Sequence, residues 1–238
     1  MKIALTGGIA CGKSLFAKFL RELGIQLIDA DDVVHELEAP GGAAVESIVA
    51  RFGRDVLASD GGIDRAALAG RVFSDSAARS DLEAIIFPLV RRYLQEAAVM
   101  PLHRTDAPDC GRGILAASLC QLTIHVIPLL FESHWESDYD IILCIASPVG
   151  QQIDRMVRSR GYTRSHAEAR LAAQLPVAEK IARSNYTVMN DSTPEHLRDE
   201  AERLVTWLKG KIEDERRRRE ENVSKSSGDR NGQAGSGA

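Results

Sequence analysis

Near its start the chain carries the stretch LTGGIACGKS, residues 5–14, in which Gly7, Gly12, Lys13 and Ser14 satisfy the spacing Gly-x4-Gly-Lys-Ser/Thr. That spacing suits the holding of phosphate. Glycines let successive backbone N–H groups converge on phosphate oxygens, Lys13 brings charge to the β and γ phosphates, and the Ser14 hydroxyl can ligate Mg²⁺. The loop set expected at a nucleotide is Gly7, Gly8, Ile9, Ala10, Cys11, Gly12, Lys13, Ser14 and Leu15. A second cluster, Asp29, Asp31 and Asp32, follows a short apolar run. Phosphoryl transfer needs an acceptor hydroxyl oriented and its proton taken, which a carboxylate near the γ phosphate can do. Asp31 suits that role, and Asp32 suits a cap on the following helix.

Two further groups carry charge. In IPLLFES, Glu132 can support Mg²⁺ or substrate, or the segment can serve packing alone. Between residues 153 and 174 lie Arg155, Arg158, Arg160, Arg164 and Arg170, which can close over a triphosphate or stay solvated on helix surfaces. His125 sits within an apolar run and reads as a core imidazole.

These residues must be held by an α/β framework. KIALT is a short apolar run entering the glycine loop, after which Leu15, Phe16, Phe19, Leu20 and Leu23 recur at helical spacing up to Gly24. IQLI then reads as a strand ending at the aspartates, so the first thirty residues form a βαβ unit with its loops at one sheet edge. Ligands of open parallel sheets bind at that carboxyl edge. From Val33 to about Met100 the pattern is helical, broken by Gly, Asp and Ser, and residues 101–113 have loop chemistry. LTIHVI, YDIILCIA and YTVM read as further strands, with helical patterns at 149–160, 165–173 and 193–210. The last segment has almost no apolar content and reads as a frayed helix passing into disorder.

Composition narrows the class. A chain of 238 residues with 30 basic and 34 acidic side chains has a net charge of −4, which does not indicate capture of nucleic acid. No stretch approaches the roughly 20 apolar residues of a membrane span, and the opening run is too short for a signal-peptide core, so a cytoplasmic location is expected. Cys11, Cys110, Cys120 and Cys144 form no Cys-x-x-Cys pair and read as reduced thiols. Spacing and composition reach a small P-loop kinase or NTPase.

In order along residues 2–208, LTGGIACGKS, LGIQLIDADDV, RFGRDVLASDGGIDRAALAGRVFSD, IPLLFES and EARLAAQLPVAEK resemble the dephospho-coenzyme A kinase family. The resemblance implies a P-loop kinase with a parallel-sheet core (residues 1–32, 114–149 and 180–210), a helical coenzyme A-binding domain (33–100) and a small helical lid (150–179), to which composition adds a disordered tail (211–238). It implies transfer of the γ phosphate of ATP, with Mg²⁺, to the 3′-hydroxyl of dephospho-coenzyme A, by a monomer or weak homo-oligomer. Asp31 is similar to the family's base, Lys13 and Ser14 take the loop roles, and Arg155 resembles a lid arginine near ATP. Arg170 and Gln174 match the lid's closing Arg-x-x-x-Gln, Glu132 lies on the substrate side, and Asn190 matches an Asn near the adenine.

Departures from the family pattern are Cys11 for a usual Ser, Phe87 for a usual His before Pro-Leu, Ser159-Arg160-Gly161 in the lid, and no acid before Asn190. Two other kinds of kinase-like protein share the loop. One is another small-molecule kinase, for a nucleoside, shikimate or gluconate; the other is an impaired homologue that only binds ATP or coenzyme A. A GTP-driven switch would carry Asn-Lys-x-Asp, and here no Asn is followed by Lys.

Overall fold

The computed structural model describes residues 1–73, 75–97 and 122–231. In chain order the elements are β1 (Ile3–Gly7), α1 (Lys13–Glu22), β2 (Gln26–Asp29), α2 (Ala30–Glu38), α3 (Val45–Phe52), α4 (Arg65–Val72), α5 (Ser76–Ala97), β3 (Thr123–Val126), β4 (Ile141–Ala146), α6 (Val149–Arg160), α7 (Arg164–Ala172), α8 (Val177–Ala182), β5 (Tyr186–Met189) and α9 (Pro194–Asn231). Cys110, Cys120 and the loop expected at 101–113 lie outside the described residues.

The five strands form one sheet in the order β2-β3-β1-β4-β5, and every pairing is parallel. All five carboxyl ends therefore share one edge. β1 and β2 are parallel but not adjacent, because β3 returns much later in the chain and inserts between them with Ile3 opposite Ile124 and Leu27 opposite Ile124. The βαβ unit read from the first thirty residues thus spans a third strand.

Both faces of the sheet are covered, which is why its strands are apolar throughout. Alternation of side chains distributes them: Ile3, Leu5, Ile124, Ile141, Leu143 and Ile145 face α1 and α9, whereas Ala4 and Ile142 face the helices after β2. On the first face α9 contributes Leu197, Ala201, Leu204, Val205 and Leu208, a stripe at helical spacing. On the second, Val33 and Leu37 of α2, Ile48 and Phe52 of α3, Leu68 of α4 and Ile86, Val90 and Leu94 of α5 form one cluster with Ile127, Leu130, Phe131 and Trp135. Phe87 of α5 packs edge-on against Trp135, with ring centroids 5.2 Å apart.

The segment after residue 210, read from its composition as a tail, continues α9 as helix to Asn231. Its Glu and Arg residues favour helix, and Arg216–Glu220 and Arg219–Glu215 pair at 3.2 and 3.0 Å across one turn. Among the described residues no helix is long and apolar enough to cross a membrane.

Candidate active site

The loop after β1 is shaped by its glycines. A Cβ on Gly7 would lie 2.2 Å from the Ile145 carbonyl oxygen of the neighbouring strand, so only glycine lets the chain leave the sheet there. Gly12 has φ +90°, and a Cβ there would lie 2.2 Å from Asn190 Nδ2. Directly after Gly12 begins α1, with no side chain capping its first turn and no acid within it. The N–H groups and positive dipole end of that turn face outward beside the exposed Ser14 and Leu15, an arrangement that suits an anion.

Lys13 Nζ donates to the carbonyls of Gly7 at 2.7 Å and Gly8 at 2.9 Å. Burial pushes its pKa down to about 8. Asp31 is exposed in the first turn of α2. The cap of that helix is Asp29, not Asp32: Asp29 Oδ1 accepts from Asp31 N at 3.0 Å. The cap must sit one residue before the first helical turn, and the turn begins at Ala30, earlier than the run of aspartates suggests. Burial raises the pKa of Asp29.

Three successive residues of the phosphate loop are each held by a side chain from a different later element. Ile9 N donates to Gln174 Oε1 at 3.0 Å, the Ala10 carbonyl accepts from Arg155 Nη1 at 3.3 Å, and the Cys11 carbonyl accepts from Asn190 Nδ2 at 2.9 Å. Such support is needed because Ala10 has φ +56°, a left-handed conformation costly for a residue with a Cβ. Arg155 also donates to Ser147 Oγ at 2.8 Å, Gln151 Oε1 at 3.1 Å and the Asn190 carbonyl at 3.0 Å, tying the ends of β4 and β5 to the loop. Ile9 and Ala10 pack in addition on Ile153, Met156 and Ala167 of α6 and α7. The Cys11 side chain is fully buried, and burial raises its thiol pKa. It belongs to the apolar cluster under α1.

Glu132, beyond the end of β3, turns back under this framework. Its Oε1 accepts from Lys180 Nζ at 2.7 Å and from Leu175 N at 3.0 Å. Lys180 is fully buried and also lies 3.5 Å from the Pro128 carbonyl.

Of the arginines between residues 153 and 174, Arg155 is the one brought to the loop. Arg164 pairs with Glu168 at 3.0 Å, Arg170 lies over the Tyr162 ring at 5.1 Å and donates to His166, and Arg158 and Arg160 are exposed. His125 is a core imidazole, bonded through Nδ1 to Tyr139 Oη at 3.0 Å and pushed down by burial to about 4. Sequence reasoning missed Ser147, Gln151 and Lys180. The only signal for Lys180 was its place in EARLAAQLPVAEK, since a lone Lys in a polar helix reads as solvated.

A family model described as dephospho-CoA kinase matches residues 1–196. The dephospho-CoA kinase of Anaeromyxobacter dehalogenans is 41% identical over 208 residues, covering 87% of this chain and 92% of that protein. That of Geobacter sulfurreducens is 39% identical over 207 residues, covering 87% and 97%. Among solved structures, TT1252 from Thermus thermophilus superposes with a TM-score of 0.67 at 31% identity, covering 87% of this chain and 97% of that one. The dephospho-CoA kinase from Campylobacter jejuni shares the fold at a TM-score of 0.55 and 23% identity, covering 87% and 96%. With a phosphate loop pinned at three points and a family match across most of its length, the chain belongs to the dephospho-CoA kinase family.

Proposed function

We propose that this kinase transfers the γ phosphate of ATP to the 3′-hydroxyl of dephospho-coenzyme A, the last step of coenzyme A synthesis. The observation that carries the reading is that Lys13, the uncapped start of α1 after β1 and Asp31 in the first turn after β2 stand at the same carboxyl edge of the parallel sheet. In this reading the backbone N–H groups of the loop and α1 hold the β phosphate, and Lys13 balances the charge that spreads over the γ phosphoryl oxygens. Asp31 orients the acceptor hydroxyl and takes its proton as the in-line transfer proceeds. Arg155 adds positive charge on the nucleotide side and keeps Ala10 in place.

A hard cation suits the donors present. Mg²⁺ is satisfied by one or two protein oxygens plus phosphate and water, and the exposed Ser14 hydroxyl at the head of α1 supplies such a ligand. Among the described residues no group of three or more His, Cys, Asp or Glu side chains forms an alternative metal cage. When bound, Mg²⁺ neutralises charge on the β and γ phosphates. The exposed Arg170 is available to anionic groups of the acceptor, whereas Oε1 of Glu132 is bonded to Lys180 and Leu175 and Oε1 of Gln174 to Ile9. Those two act by holding the site in shape.

The test is ADP release from ATP and Mg²⁺ with dephospho-coenzyme A offered beside adenosine, shikimate and gluconate. Release with dephospho-coenzyme A alone is expected. Turnover with another acceptor would replace the substrate assignment, and ATP binding with no transfer to any acceptor would make the chain an impaired member of its family.

A further inference from the structure

Lys180 has a position that solvated lysines do not take. Its side chain is fully buried in α8, and its ammonium meets Glu132 Oε1 at 2.7 Å and the Pro128 carbonyl at 3.5 Å. Burying a charge is costly unless the partner geometry is close to ideal, so a buried pair is weak evidence for stability and invites a search for what it fixes. Glu132 Oε1 is shared with Leu175 N at 3.0 Å, and Oε2 of the same carboxylate is buried with no hydrogen-bond partner. Two donors, Lys180 Nζ and Leu175 N, therefore converge on one oxygen of this carboxylate and fix where it sits. The residue before Leu175 is Gln174, whose Oε1 accepts from Ile9 N in the phosphate loop at 3.0 Å. A continuous path therefore runs from the end of β3, through Lys180 and Glu132, to the backbone at 175 and then to the loop.

We infer that Lys180 is a positioning residue that orients Glu132, so that Glu132 anchors Leu175 and the adjoining Gln174 keeps Ile9 in its phosphate-binding conformation. Lys180 touches neither substrate in this scheme. It acts on the nucleotide through two intermediaries, and its effect belongs to ATP rather than to the acceptor. The inference rests on the reading of the loop as an ATP site and does not depend on which acceptor is used.

The experiment measures ATP affinity by calorimetry with Mg²⁺, without acceptor, for the full chain and for Lys180→Met, Gln174→Ala and the double variant. Each single change should weaken ATP about tenfold or more, the scale on which small misplacements at such sites are felt. Because both act on one path, the double variant should bind ATP little more weakly than the worse single variant. In turnover, KM for ATP should rise while KM for dephospho-coenzyme A stays within about twofold, a split that a purely structural loss of active protein does not produce. Should Lys180→Met not fold, Glu132→Ala breaks the same path from a partly exposed residue and completes the same cycle. Wild-type ATP affinity in Lys180→Met or Glu132→Ala, or losses that multiply in the double variant, would overturn the inference. A wild-type protein that binds ATP but leaves dephospho-coenzyme A untouched would overturn the proposed acceptor alone.

Discussion

At the level of single residues the site turns on Lys13. Its pKa is lowered to about 8 by burial, against an ordinary 10.5, so in the free protein the ammonium begins to lose its proton as pH rises through about 8. The expected consequence is a fall in kcat/KM for ATP above about pH 8, smaller in kcat because bound triphosphate favours the charged form. A flat kcat/KM profile up to pH 10 would show that Lys13 stays charged unaided. Stability has the opposite trend. Between about pH 8 and 10.5 the unfolded chain binds more protons than the folded one, so this group's contribution to stability rises with pH across that window. Lys13→Ala should abolish transfer, removing several kcal/mol of transition-state stabilisation at sites of this kind, and near wild-type turnover would refute the loop assignment. Lys13, Ser14 and the glycines were legible because their pattern is local. The choice between Asp29 and Asp32 as helix cap was not, since it depends on where α2 leaves the strand, a matter of backbone geometry.

At the level of elements, periodicity located every strand among the described residues, and it located most helices within a few residues. It did not reveal that β3 separates β1 from β2, because strand order depends on a segment that arrives only at Thr123. It also passed over the six-residue α8, whose Lys180 is buried only once the chain beyond β3 folds over it. Arg155, Gln174 and Asn190 were singled out as contacts for ligands, Gln174 and Asn190 by resemblance alone. In the structure they bond Ala10, Ile9 and Cys11 of the loop, which no spacing rule conveys. Phe87 is explained by packing: it is half-buried in α5 with its ring edge-on to Trp135. Phe87→Ala should therefore cost about 1–3 kcal/mol, less than a fully buried aromatic, read as a lower denaturation midpoint. An unchanged midpoint would point to a role on the substrate side.

For the whole molecule, the sheet separates two apolar clusters, one under α1 and α9 and one shared by the helices of residues 30–97 with the segment after β3. The helical insertion thus rests on the same strands that end at the phosphate loop. Residues 150–179 contact that loop through Arg155, Gln174 and the small cluster around Met156, so nucleotide and this segment should stabilise one another. Hydrogen exchange of residues 150–179 is expected to slow when ATP and Mg²⁺ bind, and exchange that stays unchanged would mean the segment is not linked to the nucleotide.

The measurement that bears most directly on the proposed chemistry is single-turnover transfer of labelled γ phosphate from ATP to dephospho-coenzyme A, with wild type and Asp31→Asn in parallel and ATP affinity measured on both. Asp31 as base predicts unchanged ATP affinity and a transfer rate lower by about 10²-fold or more in the variant. Full-rate transfer by Asp31→Asn, or a collapse of ATP affinity with the transfer rate preserved, would contradict it.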